Sequence, residues 1–184
     1  MTRDEAVELL KSHVKNERML DHSFAAEAVL RALSRRLGRD EEKWGQAGLL
    51  HDIDIEIVDG NLARHGLEEE RILAEAGIER EIVDAVKMHN EGACGVTRST
   101  ELQHALAAGE TVTGLIVATT LVYPDKKMTG VKVKSITKRM KERAFVASVN
   151  RETILECEKL GLPLDEFAGI ALAAMQGIAD QLGL

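Results

Sequence analysis

His22, Ala26, Val29, Leu33 and Leu37 stand at i, i+4, i+7, i+11 and i+15, which draws an apolar stripe, opened by a histidine, along one face of an α-helix. Successive side chains of a strand point to opposite faces, so this spacing commits Asp21 to Leu37 to a helix. Only two prolines interrupt 184 residues, and aromatics make up 3% of them. With Ala, Leu, Glu and Lys abundant, that balance favours helix nearly everywhere and predicts an all-α fold. The length suits one domain with a helical appendage.

The punctuation agrees. Gly38 stops the first helix, and Asp40 opens a second whose first turn carries Glu41 and Glu42 and whose inner stripe runs Trp44, Ala47, Gly48, His51, ending near Asp52. Leu67 to Ala76 reads as a short helix closed by Gly77, and Ile78 to Asn90 as another with Ile82, Val86 and His89 on one face. A glycine-bearing loop, Glu91 to Ser99, leads into a long helix from about Thr100, which Pro124 terminates. Further helices are expected over Val131 to Arg143, Arg151 to Leu160 and Leu164 to Leu184.

Charge narrows the function. The net charge of −7 argues against nonspecific nucleic-acid binding through an overall positive field. One stretch, residues 126–143, holds eight basic side chains against Glu142 alone. It reads as a solvated helix face that an anionic substrate or partner can also meet. The charge-free runs Thr111 to Pro124 and Phe167 to Ala179 fall short of the roughly 18 apolar residues that mark a membrane span, and read as buried helices. Met1 to Lys15 is studded with charge and has no signal-peptide core. Cys94 and Cys157 have no metal-like spacing, so a reducing cytoplasm is the expected location.

Three helices nevertheless place metal-capable groups on their inward faces: His22 on the first, His51 with Asp52 on the second, and Glu110 among Leu102, Leu106, Thr113 and Val117 on the long one. A lone histidine on an apolar face is ordinarily a hydrogen-bonded core residue. Four polar groups from separated segments are different, because each is costly to bury unpaired and a shared cation offsets that cost collectively. Other motifs are weak. Gly109 and Gly114 have phosphate-loop spacing, but Leu115-Ile116 stands where that mechanism needs Lys and Ser or Thr. Ser23 beside His22 reads as a cap, and Phe24, Trp44, Tyr123, Phe145 and Phe167 are too scattered for a base-stacking platform.

His22, then His51-Asp52 after an apolar helix, then an acidic residue on a later helix resemble the HD-domain metal-dependent phosphohydrolases. Arg64-His65-Gly66-Leu67-Glu68 followed by Ile72-Leu73, and Lys87-Met88-His89-Asn90, resemble the additional histidine motifs of HD subfamilies that bind a second metal. Gly109 to Ala118 and Pro124-Asp125-Lys126-Lys127 resemble a bacterial and archaeal group of predicted HD hydrolases. The resemblance runs from about His22 through Phe167 and implies one HD domain over 1–184, with a helical-bundle core at about 18–125 and a C-terminal helical extension at about 126–184. Two departures stand out: Glu110 occupies the place of the family's last aspartate, and Asn90 follows His89 where the HD-GYP branch has a second histidine. Asp54 and Glu56 are expected as solvent-facing loop carboxylates, with a supporting role behind the metal as the alternative.

The resemblance implies a phosphate-ester hydrolase acting on a nucleotide or other small phosphorylated metabolite through a metal-activated water. It assigns His22, His51, Asp52 and Glu110 to one metal, and Asp52, His65 and His89 to another, with Asp52 bridging and catalytic. Imidazole and carboxylate without thiolate suit Mn, Fe, Co, Ni, Zn or Mg alike. Arg18 and Arg64 are candidate substrate contacts, whereas His13 and His104 match no motif and read as surface or packing residues. Two rival classes share the residue set: an HD-fold di-iron oxygenase, and a non-catalytic nucleotide-binding or interaction module in which Glu110 marks a weakened site.

Overall fold

The computed structural model describes residues 1–184, and every regular element in it is helical. Helix α1 (Arg3–His13) opens on a capping box between Thr2 and Glu5 and buries Ala6 and Leu10, one turn apart. It is fastened to its neighbour by Arg3, which meets the buried carboxylate of Glu27 at 2.7 Å. Helix α2 (Glu17–Leu37) begins at the cap Asn16, one turn earlier than the apolar stripe suggests, and ends where Gly38 turns left-handed at φ 66°. Helix α3 (Glu41–Leu50) is capped by Asp40. A run of turns leads to α4 (Leu67–Glu75), α5 (Arg80–His89) and a single helical turn, α6 (Glu91–Cys94), inside the expected loop.

Helix α7 (Glu101–Leu121) starts at a second capping box, Thr100 with Gln103, and stops before Pro124. Its surface is apolar or small nearly all round, which is the pattern of a helix enclosed by others. Accordingly it packs against α2, α3 and α5, and Leu106, Ala108, Val112, Leu115 and Ile116 are wholly buried. Past a 3-10 turn (Met128–Gly130) come α8 (Val133–Met140), a turn-rich strap, and α9 (Arg151–Ile154), which tightens into a 3-10 helix over Leu155–Leu160. The final helix, α10 (Leu164–Gln176), ends eight residues sooner than the sequence suggests and gives way to turns. Its wholly buried Phe167 is worth roughly 1.5–3 kcal/mol of transfer free energy.

One contiguous apolar core runs from Ala6 to Ala179 and includes Ile154, Cys157 and Leu172 from the C-terminal helices. Close helix approach at its centre depends on small residues. A Cβ on Gly48 would lie 2.7 Å from the backbone oxygen of Ala26, so α3 rests directly on the backbone of α2. Gly109 likewise lets α7 meet Leu30, whose Cδ2 lies 2.7 Å from the position a Cβ would take. No helix is long and apolar enough to cross a membrane. The basic stretch lies on and around α8, whose Ile136 and Met140 point inward while its lysines face solvent.

Candidate metal centre

His51 stands at the C-cap of α3, and its Nδ1 faces the carbonyl of Gly48 at 2.8 Å. On α2, His22 Nδ1 lies 3.0 Å from the hydroxyl of Thr113, which itself donates to the Glu110 carbonyl at 2.6 Å. The hydroxyl proton is therefore spent, so Nδ1 of His22 must be the donor. Both rings carry their proton on Nδ1, and their bare Nε2 atoms face each other at 3.1 Å.

A second pair repeats this plan. His89, the last residue of α5, donates from Nδ1 to the Val86 carbonyl at 2.5 Å. His65 donates from Nδ1 to Asp54 at 2.6 Å, and the two Nε2 atoms meet at 2.8 Å. Ligand atoms about 2.0–2.1 Å from a common ion are about 3 Å from each other, which is the spacing of both pairs.

Asp52 stands between them. Its Oδ2 lies 3.5 Å from Nε2 of both His22 and His51, while its Oδ1 lies 3.1 Å from Nε2 of His65 and 3.6 Å from that of His89. One carboxylate thus offers an oxygen to each pair, and two groups able to hold a metal ion result, sharing Asp52. The donor set fits a divalent cation: four imidazole Nε2 atoms, each on a ring whose Nδ1 is engaged on its far side, converge on two carboxylate oxygens in a buried place, and a cation would take the place of the proton that His65 holds there.

The electrostatics separate the two halves. Burial pushes His22 down and His51 down to about 3, so the first pair is neutral. Burial also works against the Asp52 carboxylate, but the histidines around it outweigh burial and hold it well below the usual range. At His65 burial is likewise overcome, here by hydrogen bonds to Asp52 and Asp54, and the ring is lifted to about 9. A positive charge therefore resides at the second pair even without metal. Glu110 flanks the first pair, with Oε2 3.8 Å from Nε2 of His22, and burial raises it to about 8.

The HD domain model matches residues 19–111 of the chain. The chain belongs to the HD-domain family. None of the curated proteins compared with it matches. The matched span contains His22, His51-Asp52, His65, His89 and Glu110, and the structure brings all six into one cluster around Asp52.

Asp54 corrects an expectation. It is wholly buried rather than solvent-facing, and its carboxylate accepts from His65 Nδ1 and from the backbone N–H groups of Gly66 and Glu69. The turns after the HD pair carry it inward, where it caps the start of α4 and orients His65 together. Glu56 does stay at the surface, accepting from the N–H groups of Lys15 and Asn16. Arg64 does not join the HD centre: it is exposed and paired with Glu68 at 3.1 Å. Arg18 is exposed at a separate cavity of about 630 Å³ that shares His22 with the centre.

Two groups escaped the sequence reading. Glu69 is wholly buried, 3.3 Å from Nδ1 of His65 and 3.6 Å from Nδ1 of His89, with both oxygens lacking a hydrogen-bond donor. Burial and the neighbouring Asp54 raise its pKa well above the usual range. It stands on the Nδ1 side of both imidazoles, and with Asp52, His65 and His89 it makes up one of the two groups able to hold a metal ion. Arg98 closes a fork on Glu156 at 2.6 and 3.0 Å and donates to the carbonyls of Met88 and His89 at 3.0 and 3.1 Å. His104 completes this network at 2.6 Å from Glu156. Glu69 directly follows the Arg64–Glu68 motif and lies four residues from His65, so its place in the sequence could have drawn attention to it. Arg98 had no local signal, because its partner is 58 residues away.

Proposed function

We propose that the protein is a metal-dependent phosphohydrolase that cleaves a phosphate ester of a nucleotide or another small phosphorylated metabolite, using an activated water. The division of the Asp52 carboxylate between two pairs of converging imidazole nitrogens carries this reading. It assigns His22, His51, Asp52 and Glu110 to one cation and Asp52, His65 and His89 to a second, within one HD domain whose C-terminal helices are an extension of the same core. When bound, the cations supply charge for a phosphoryl oxygen and lower the pKa of a water in the site.

The chain's own contribution is preorganisation. Thr113, Asp54 and the carbonyls of Gly48 and Val86 hold the four rings with Nε2 inward, so no ring must reorient to bind. Arg98 holds the backbone of His89 at the end of α5. A cavity of about 470 Å³ opens beside Asp52, and no Lys or Arg lines it. An anionic substrate there depends on the cations for charge balance, which supports placing the phosphoryl group at them. This reading assigns neither arginine to the phosphoryl group: Arg18 lines the separate cavity beyond His22, and Arg64 is tied to Glu68.

The test is elemental analysis of protein purified without added metal, repeated on a His51→Ala/Asp52→Ala double variant, followed by phosphate release from a panel of esters under anaerobic conditions. Near-stoichiometric metal that the variant lacks, with phosphate released, is the expected result. Two tightly held irons with oxygen-dependent turnover would move the protein to the oxygenase class. No metal in either protein after loading with manganese or iron would end the hydrolase reading.

A further inference from the structure

The cavity beside the metal ligands adjoins a second one of about 580 Å³, and His89, Asn90, Asn150 and Thr153 line both. Both volumes lie within the range of small-molecule sites, roughly 300–1,000 Å³. The two chambers differ in what they offer a ligand. The inner one is lined by His22, His65, His89, Asp52 and Glu110. The outer one has Arg98 and Lys159 as its only Lys or Arg, against Glu91, Glu152 and Glu156.

Arg98 is not free to bind an anion, and Lys159 is an exposed side chain that already faces a carboxylate. Arg98 is closed on Glu156 and on two backbone carbonyls, with Glu91 a further 3.4 Å from its Nη2. Lys159 is 3.9 Å from the same Glu156. A phosphate in the outer chamber would lose its hydration to a lining in which carboxylates outnumber cations, and that is unfavourable.

Neutral polar groups meet a different surface. Asn90 spends its Nδ2 on the carbonyls of Leu62 and His65 at 2.7 and 3.0 Å, which leaves its Oδ1 as an acceptor. Asn150 spends its Oδ1 on the N–H groups of Glu152 and Thr153, which leaves its Nδ2 as a donor. The hydroxyl of Thr153 serves as either. Asn150 and Thr153 lie outside the matched HD region, on the strap before α9 and on α9 itself. The strap is held from within: Arg151 donates to the carbonyls of Val146 and Val149, both at 2.6 Å, and to that of Phe145. Val149 in turn rests against Gly114, one helical turn beyond Glu110 on α7.

We infer that the two chambers form one binding site for the monophosphate ester of a neutral, polar alcohol of sugar or nucleoside size, its single phosphoryl group at the metal ligands and its body between Asn90 and the Asn150–Thr153 segment. The inference rests on the phosphohydrolase reading and narrows it: Asn90, Asn150 and Thr153 set specificity, and di- and triphosphates gain nothing from the outer chamber.

The test is isothermal titration of the manganese-loaded full chain with inorganic phosphate, with the methylenephosphonate analogues of ribose 5-phosphate and adenosine 5′-monophosphate, which cannot be hydrolysed, and with the diphosphate homologue of the latter. Both monophosphonates should bind at least tenfold tighter than phosphate, and the diphosphate homologue no tighter than its parent. Thr153→Trp, which fills the junction of the two chambers, should weaken the monophosphonates at least tenfold more than it weakens phosphate, with metal retained. Thr153→Val, which keeps the volume and removes only the hydroxyl, should weaken them by a smaller factor and serves if the tryptophan variant does not fold. Equal affinity for phosphate and both monophosphonates, tighter binding of the diphosphate homologue, or indifference to both substitutions overturns the inference and leaves the phosphohydrolase reading standing. Absence of metal, or of phosphate binding to loaded protein, overturns both and is recognised by the phosphate titration itself.

Discussion

The buried carboxylate of Asp54 accepts the Nδ1 proton of His65 over 2.6 Å, and in doing so joins the candidate metal centre to the start of α4. Removing one partner from such a pair leaves a buried charge uncompensated. Asp54→Ala should therefore destabilise the fold by about 3–5 kcal/mol. Asp54→Asn, which keeps the shape and one acceptor oxygen, should lie well below that. Urea unfolding of both variants checks the order; equal and small effects would mean that the pair contributes little.

Asp52 is shared between the two histidine pairs, and His22 belongs to one of them. Elemental analysis should accordingly find that Asp52→Asn loses both cations and His22→Ala chiefly one. Two ions retained in folded Asp52→Asn would contradict the bridging role.

Gly48 has no room for a methyl group, since its Cβ would lie 2.7 Å from the Ala26 oxygen and 2.9 Å from the Glu27 nitrogen, both backbone atoms. Gly48→Ala should push α3 away from α2 and cost about 1–3 kcal/mol, the usual range for overpacking. Because His51 bonds the Gly48 carbonyl and faces His22 across that crossing, the first cation should also bind more weakly. Denaturant midpoints and metal titration read the two effects separately.

Burial raises the Glu156 carboxyl, but Arg98 and His104 outweigh it and hold the folded-state pKa below the ordinary 4.5. A group depressed in this way contributes stability that is fully present above its unfolded value and lost as pH falls through the folded one. The wild-type protein should thus lose stability between about pH 4.5 and the lowered folded value, and part of that loss should vanish in Glu156→Gln. Melting temperatures at pH 7 and pH 3.5 supply the comparison; identical acid sensitivity would show that the fork does not contribute.

Arg98→Met should release the end of α5, where His89 sits, and lower affinity at the second pair while sparing the first. Titration with manganese, followed by the spin-coupled signal of a metal pair, separates this from general destabilisation. A conservative Arg98→Lys keeps one donor and should recover part of the signal.

Much of this molecule was legible from local signals. Helix starts at Asp40 and Thr100 and the stop at Gly38 follow from side-chain capping and from a left-handed backbone, which depend on neighbours a few residues apart. The order His22, His51-Asp52, His65, His89 and Glu110 was readable because each falls on an inward stripe or in a quoted motif. The N-terminal helix α1 went unread because its apolar face is narrow, and it is held by Arg3 on Glu27, 24 residues away. Helix α10 was drawn too long because apolar composition continues past Gln176 while the backbone does not.

The sequence by itself determined an all-helical chain and set His22, His51, Asp52 and Glu110 on inward faces, since periodicity and capping are written within single elements; His65 and His89 joined that set through the resemblance of their motifs. Only the tertiary structure decided which oxygen of Asp52 faces which pair, that Asp54 turns inward and Glu69 lies buried on the Nδ1 side of His65 and His89, and that Arg98 reaches Glu156 to tie the C-terminal helices to His89. These facts depend on desolvation and on hydrogen bonds between segments far apart in the chain, and a polar side chain acquires its partner, its burial and its proton only when those segments pack.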